Sequence, residues 1–168
     1  MVNQQASTER IWEWLSGIPD PEMPFLSIVD LGIVRDVHWE EEQLRIVVTP
    51  TYSGCPAKSH IDASIRNTLL DRGIEHLALE TRLSPAWSTD WLGDVAKAKL
   101  LAAGIAPPMA SEVPMRKLEY RAWSIATPSC PLCGSASTTV RGEFGSTLCK
   151  SLYVCGDCAN PFEHFKCF

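Results

Sequence analysis

The chain has 168 residues, 45% of them hydrophobic and 21% charged, and a formal net charge of −5. That length suits one ordinary domain with a small appendage, and the composition excludes a disordered or fibrous chain. The negative balance and the lack of any Lys/Arg run argue against a nucleic-acid binder, and no apolar run approaches the ~20 residues of a membrane span.

The opening residues 1–6 are polar and lack the basic and apolar regions of a secretory signal, so the expected compartment is the reducing cytoplasm. Seven cysteines in that setting read as metal ligands or reactive thiols rather than disulfides. They divide the chain, since Cys55 alone precedes residue 121. Charge divides it too: residues 1–120 carry net −6 and the remainder +1.

Ser7-Thr8-Glu9 signals a helix start, and Ile11, Trp14, Leu15 and Ile18 then recur on one helical face, with Gly17 as the stop. The prolines of Asp20-Pro21-Glu22-Met23-Pro24 make that stretch a rigid loop. Ile33, Val37 and Trp39 share one parity, as do Leu44, Ile46 and Val48. These are two strands joined as a hairpin across residues 40–43, where Glu40-Glu41-Glu42 is a solvated turn. A helix is expected over about residues 56–72, with Ile61, Ile65 and Leu69 on one face and Gly73 beyond its end. Leu77, Leu79, Thr81 and Leu83 alternate as a third strand, completing a strand–helix–strand unit. Residues 85–91 form a loop in which Trp87 and Trp91 read as core or interface aromatics. Residues 94–103 are helical, stopped by Gly104. Residues 105–114 read as a linker and residues 115–125 as an extended strand. The expected fold class is α+β, a small sheet packed with about three helices, followed by a small β zinc ribbon. The expected division is an α+β domain over 1–110, a linker or strand over 111–126, and a four-cysteine ribbon over 127–168.

Cys130-Pro131-Leu132-Cys133-Gly134 and Cys155-Gly156-Asp157-Cys158 are two C-x2-C pairs separated by 21 residues. A two-residue gap lets both thiolates of a pair face one ion, and two such knuckles complete a tetrahedral S4 set. Gly134 and Gly156 are expected to ease the tight backbone. The reading favours structural Zn2+, with iron an alternative in the same site. Metal also accounts for how so short a segment folds. Cys149 reads as a buried filler or an extra ligand, Cys167 as a free thiol, and His164 as packing or a substitute ligand.

Gly54-Cys55-Pro56 stands where a loop enters a helix. With Pro56 at the first helical position, Cys55 becomes the N-cap, and the dipole end is expected to lower its thiol pKa. The rival reading is a buried filler. Asp20, Glu22 and Asp30 are candidates to join Cys55 across the fold.

Three motifs together, Asp20-Pro21-Glu22-Met23-Pro24, Val29-Asp30-Leu31-Gly32-Ile33-Val34 and Thr49-Pro50-Thr51-Tyr52-Ser53-Gly54-Cys55-Pro56, resemble the MIP18 (DUF59) family. Those proteins are small α+β domains linked to iron–sulfur cluster assembly and transfer, and the likeness covers about residues 8–105. It implies Cys55 as an iron or cluster transfer thiol, with Asp20, Glu22, Asp30, Thr51 and Gly54 as supporting loop positions. The tail, residues 143–153 and 161–167, resembles the accessory family of the ring-1,2-phenylacetyl-CoA epoxidase of bacterial phenylacetate degradation. That resemblance implies a factor maturing a metal centre, di-iron or [2Fe–2S], with a transient iron or iron–sulfur cargo. Its implied partners are the epoxidase subunits or their iron–sulfur reductase, and iron–sulfur assembly proteins. No nucleic acid or membrane enters this reading, and a homodimer stays open. The alternatives are a structural or coupling subunit of the oxygenase, and a thiol enzyme using Cys55, for which no motif supplies a base or an oxyanion site.

Overall fold

A computed structural model describes residues 6–52, 54–109 and 127–166. The chain forms two compact units, Met1–Ala96 and Lys97–Phe168.

In the first unit, α1 (Thr8–Ser16) begins where the Ser7 hydroxyl accepts the Arg10 N–H at 3.3 Å, satisfying one orphan donor of the first turn. Ile11 and Leu15 are fully buried, while Trp14 is half-buried with the Arg72 guanidinium over its ring. The proline loop folds back through a Pro19–Ser27 bridge. There the buried Asp20 Oδ1 accepts the N–H groups of Glu22 and Met23 at 2.9 and 2.8 Å. This carboxylate supplies what the prolines remove, a set of hydrogen bonds that fixes the loop.

β1 (Val34–Glu40) and β2 (Gln43–Val48) form the expected hairpin, with Val37 opposite Ile46 and Trp39 opposite Leu44. After α2 (Lys58–Leu70), β3 (Leu77–Thr81) pairs parallel to β2, giving the order β1-β2-β3. The central strand β2 buries Ile46, Val47 and Val48 in succession, as a strand covered on both faces must. Ile61, Ile65 and Leu69 are the buried face of α2. Each such side chain contributes roughly 1.5–3 kcal/mol of burial. Trp87 is core, its indole N–H donating to the Leu31 carbonyl at 2.8 Å. A 3₁₀ turn, Thr89–Trp91, leads to α3 (Asp94–Ala102).

The second unit holds β4 (Ile105–Ala106), β5 (Thr138–Gly142), β6 (Lys150–Cys155) and β7 (Pro161–Phe165), in the order β4-β7-β6-β5. Residues 105 and 106 were expected in a linker. They pair with Glu163 and His164 as an edge strand, so residues 97–109 group with the ribbon although the sequence places the division at 110. The strand expected over 115–125 lies outside the described residues. Tyr153 and Phe162 stack at 5.8 Å in a small core shared with Ala106, Cys130 and Cys155. Lys150 is buried, and its Nζ meets Glu163 at 2.8 Å. Among the described residues no helix is long and apolar enough to cross a membrane.

Candidate metal centre and thiol site

The two knuckles bring Cys130, Cys133, Cys155 and Cys158 together, with all four sulfurs within 4.8 Å of one another. Cys130 and Cys158 lie 3.8 Å apart, and Cys133 and Cys155 3.5 Å. A tetrahedral ion at a Zn–S distance of about 2.3 Å sets its sulfurs about 3.8 Å apart, so the donor set fits such an ion. Two thiolates at that separation repel by about 4 kcal/mol at an effective dielectric of about 20, which a central cation reverses.

Backbone geometry holds the sulfurs in place. The first knuckle closes through Cys130 N–H to Ser135 O at 2.8 Å and Gly134 N–H to Cys130 O at 2.9 Å. Gly134 takes φ +75°, which glycine adopts freely. The equivalent position after the second knuckle is Ala159, at φ 59°, so the left-handed residue follows each pair. Gly156 has a different task from the one expected of it. A Cβ there would stand 2.6 Å from the Ser137 hydroxyl, where the Gly156 N–H meets the Ser137 carbonyl. It permits close approach of the segments just before β5 and just after β6 rather than a left-handed turn.

The thiols are electrically unequal. The Ser135 N–H pulls Cys133 down, but hydrogen bonds with the sulfurs of Cys155, Cys158 and Cys130, together with desolvation, push it up to about 12. The backbone and side chain of Asn160 draw Cys158 down to about 6. Asn160 was missed by sequence reasoning, since nothing in C-x2-C spacing marks the residue two places beyond it. Cys149 is not a member of this set: it is buried, with its sulfur 3.0 Å from the Thr147 hydroxyl. His164 is likewise outside it, buried beside Tyr153 with Nδ1 3.4 Å from Ser151 Oγ. Cys167 lies outside the described residues.

Cys55 departs from its expected position. The helical ladder starts at Ile61 N–H to Ala57 O, and Ala57 is the N-cap, so Cys55 stands in the turn before α2. Its carbonyl accepts the Lys58 N–H at 3.2 Å and its N–H donates to Tyr52 O at 3.1 Å. Its pKa is raised, not lowered. Burial is the main cause, outweighing the Ala57 backbone and Thr51 side-chain hydrogen bonds, and the charges of Glu22 and Asp20 add to the rise. Thr51, Glu22 and Asp20 thus act on the thiol as a group, with Gly54 its chain neighbour. Asp30 is engaged elsewhere. Its Oδ2 accepts the Ser27 N–H and its own N–H donates to Ser27 Oγ, both at 2.9 Å, a reciprocal clamp on the loop.

Comparison with known proteins divides along the same line. Residues 116–166 match the model of the PaaD zinc beta ribbon domain, and residues 8–73 that of the iron-sulfur cluster assembly protein. Over 157 residues the chain is 44% identical to an Escherichia coli (strain K12) protein named as a "Putative 1,2-phenylacetyl-CoA epoxidase" subunit, covering 94% of this chain and 91% of that one. A DUF59 domain from Bacillus anthracis superposes with a TM-score of 0.51 at 27% identity, over 55% of this chain and 89% of that one. A conserved hypothetical protein of Thermotoga maritima shares the fold, with a TM-score of 0.50 at 20% identity over 58% and 96% of the two chains.

Proposed function

Because the chain belongs to the PaaD family of phenylacetyl-CoA epoxidase subunits, we propose that it is a cytoplasmic maturation factor for a metal centre of that oxygenase system. In this reading Cys55 takes up and hands on iron or an iron–sulfur cluster. The four-cysteine ribbon holds structural zinc through Cys130, Cys133, Cys155 and Cys158 and docks the client.

The observation that carries the reading is the environment of Cys55. A nucleophilic cysteine sits in an electropositive pocket that keeps it anionic. This thiol is half-buried, and burial and two acidic side chains hold it protonated. The same carboxylates that disfavour a thiolate favour a cation beside it. Uptake of ferrous cargo forms an S–Fe bond and releases the thiol proton, and the charges of Glu22 and Asp20 favour the metal-bound state. The environment therefore suits a metal carrier better than a thiol enzyme. Zinc in the ribbon supplies shape alone, since four protein sulfurs leave no open position.

Cys55→Ser tests the reading. It should leave folding and ribbon metal content unchanged while abolishing support of epoxidase activity in cells. Normal activity from this variant would remove the carrier role. The name of the Escherichia coli relative, that of a subunit, favours a second reading, a structural or coupling component. Stoichiometric co-purification with the oxygenase, unaffected by Cys55→Ser, would select it.

A further inference from the structure

Beside the first knuckle the ribbon unit has an open cavity of about 430 Å³, within the size range of ligand pockets. Four of its lining residues are prolines, Pro107, Pro108, Pro128 and Pro131, joined by Leu101 and Met109. Proline has no N–H to donate, and among the described residues no charged side chain lines the space. A phosphate or carboxylate ligand would find almost no donors there. Apolar side chains would find walls whose backbone is already fixed, so little conformational entropy is lost on binding, and Met109 can adjust to their shape. The lining also reaches the surface as an apolar side chain, since Leu101 is 46% exposed, and Leu132, the chain neighbour of the lining residue Pro131, is 57% exposed.

Charge selects among apolar partners. Lys97 stands one turn before Leu101 on the same face of α3, because residues four apart share a helical face. The unit as a whole, residues 97–168, carries net +3, whereas residues 1–96 carry −8. We infer that this groove docks a short apolar segment flanked by carboxylates, presented by a protein partner. The inference names the partner chemistry of the docking role proposed for the ribbon and rests on that reading, but not on Cys55.

The test uses the full, zinc-loaded chain and a fluorescein-labelled peptide, Glu-Asp-Leu-Phe-Leu-Asp-Glu, with a twin carrying lysine at its four acidic places. Anisotropy should show the acidic peptide binding at least about tenfold more tightly than the basic one. Leu101→Asp, at a surface position, should weaken it by about tenfold or more, and Lys97→Glu should narrow the gap between the twins. Equal binding of the twins, or unchanged binding by Leu101→Asp, would overturn the inference. So would a concentration-dependent dimer abolished by Leu101→Asp, which would make a second copy the occupant. Binding gained only after deletion of residues 110–126 would do the same for the chain's own linker. Cys55→Ser should bind the acidic peptide normally, so failure of the carrier reading and failure of the groove are separable.

Discussion

Residues 1–96 fully bury Ile11, Leu15, Leu44, Ile46, Ile65 and Leu69, whereas two of the five residues in the ribbon's core cluster are its own metal-ligand cysteines. The contrast teaches how much apolar surface a fold needs. The first unit has three strands and helices whose periodic faces meet. The ribbon has short strands, an exposed β5 and a stacked aromatic pair, too little to offset the entropy of ordering its loops. Bonds from the four clustered sulfurs to a metal ion would make up the difference.

Replacing a ligand should separate the units most sharply. Cys130→Ser removes a contribution on the order of 10–16 kcal/mol from structural metal. The ribbon should lose its ion and its amide protection, while α1, α2 and the β1–β3 sheet keep theirs. Metal analysis with unit-resolved hydrogen exchange measures this, and unchanged ribbon protection would break the comparison. The converse is Ile46→Ala, which leaves a cavity in the first unit. It should cost roughly 2–5 kcal/mol in denaturant unfolding without altering metal content.

Acid should weaken the ribbon through His164. Burial lowers its pKa to about 4 from the ordinary 6.5. As pH falls, the unfolded chain therefore takes up the proton first. Stability is full above 6.5 and drains away down to about 4, by roughly 3 kcal/mol. Wild type and His164→Gln, compared by denaturant unfolding across that window, should differ in slope, and equal slopes would refute the effect. The smallest change belongs to the other unit. Glu22→Gln removes a charge that raises the Cys55 pKa, so the thiol should titrate lower, read from its alkylation rate against pH.

Much of this was legible before the structure. Ile11 with Leu15, and Leu44 with Ile46, announce their elements because burial imposes a period on the chain. The C-x2-C pairs announce the metal centre because ligand geometry imposes a spacing. What stayed hidden has no period or spacing to show. Pro56 pointed to a helix start at Cys55, but the ladder opens two residues later, and burial of the sulfur outweighs the pull of nearby N–H groups. Ala159 carries a left-handed backbone that its residue type conceals. Ile105–Ala106 is too short to alternate, so its strand exists only through its partner β7.

That two-residue strand has a practical consequence for dissecting the molecule. A fragment cut at residue 127, where the cysteine pattern invites the scissors, would keep every ligand yet strip β7 of its neighbour. Bare strand edges recruit whatever chain comes next, so such a piece should load metal and still clump. Starting at residue 97 instead carries the cover along with the sheet it protects.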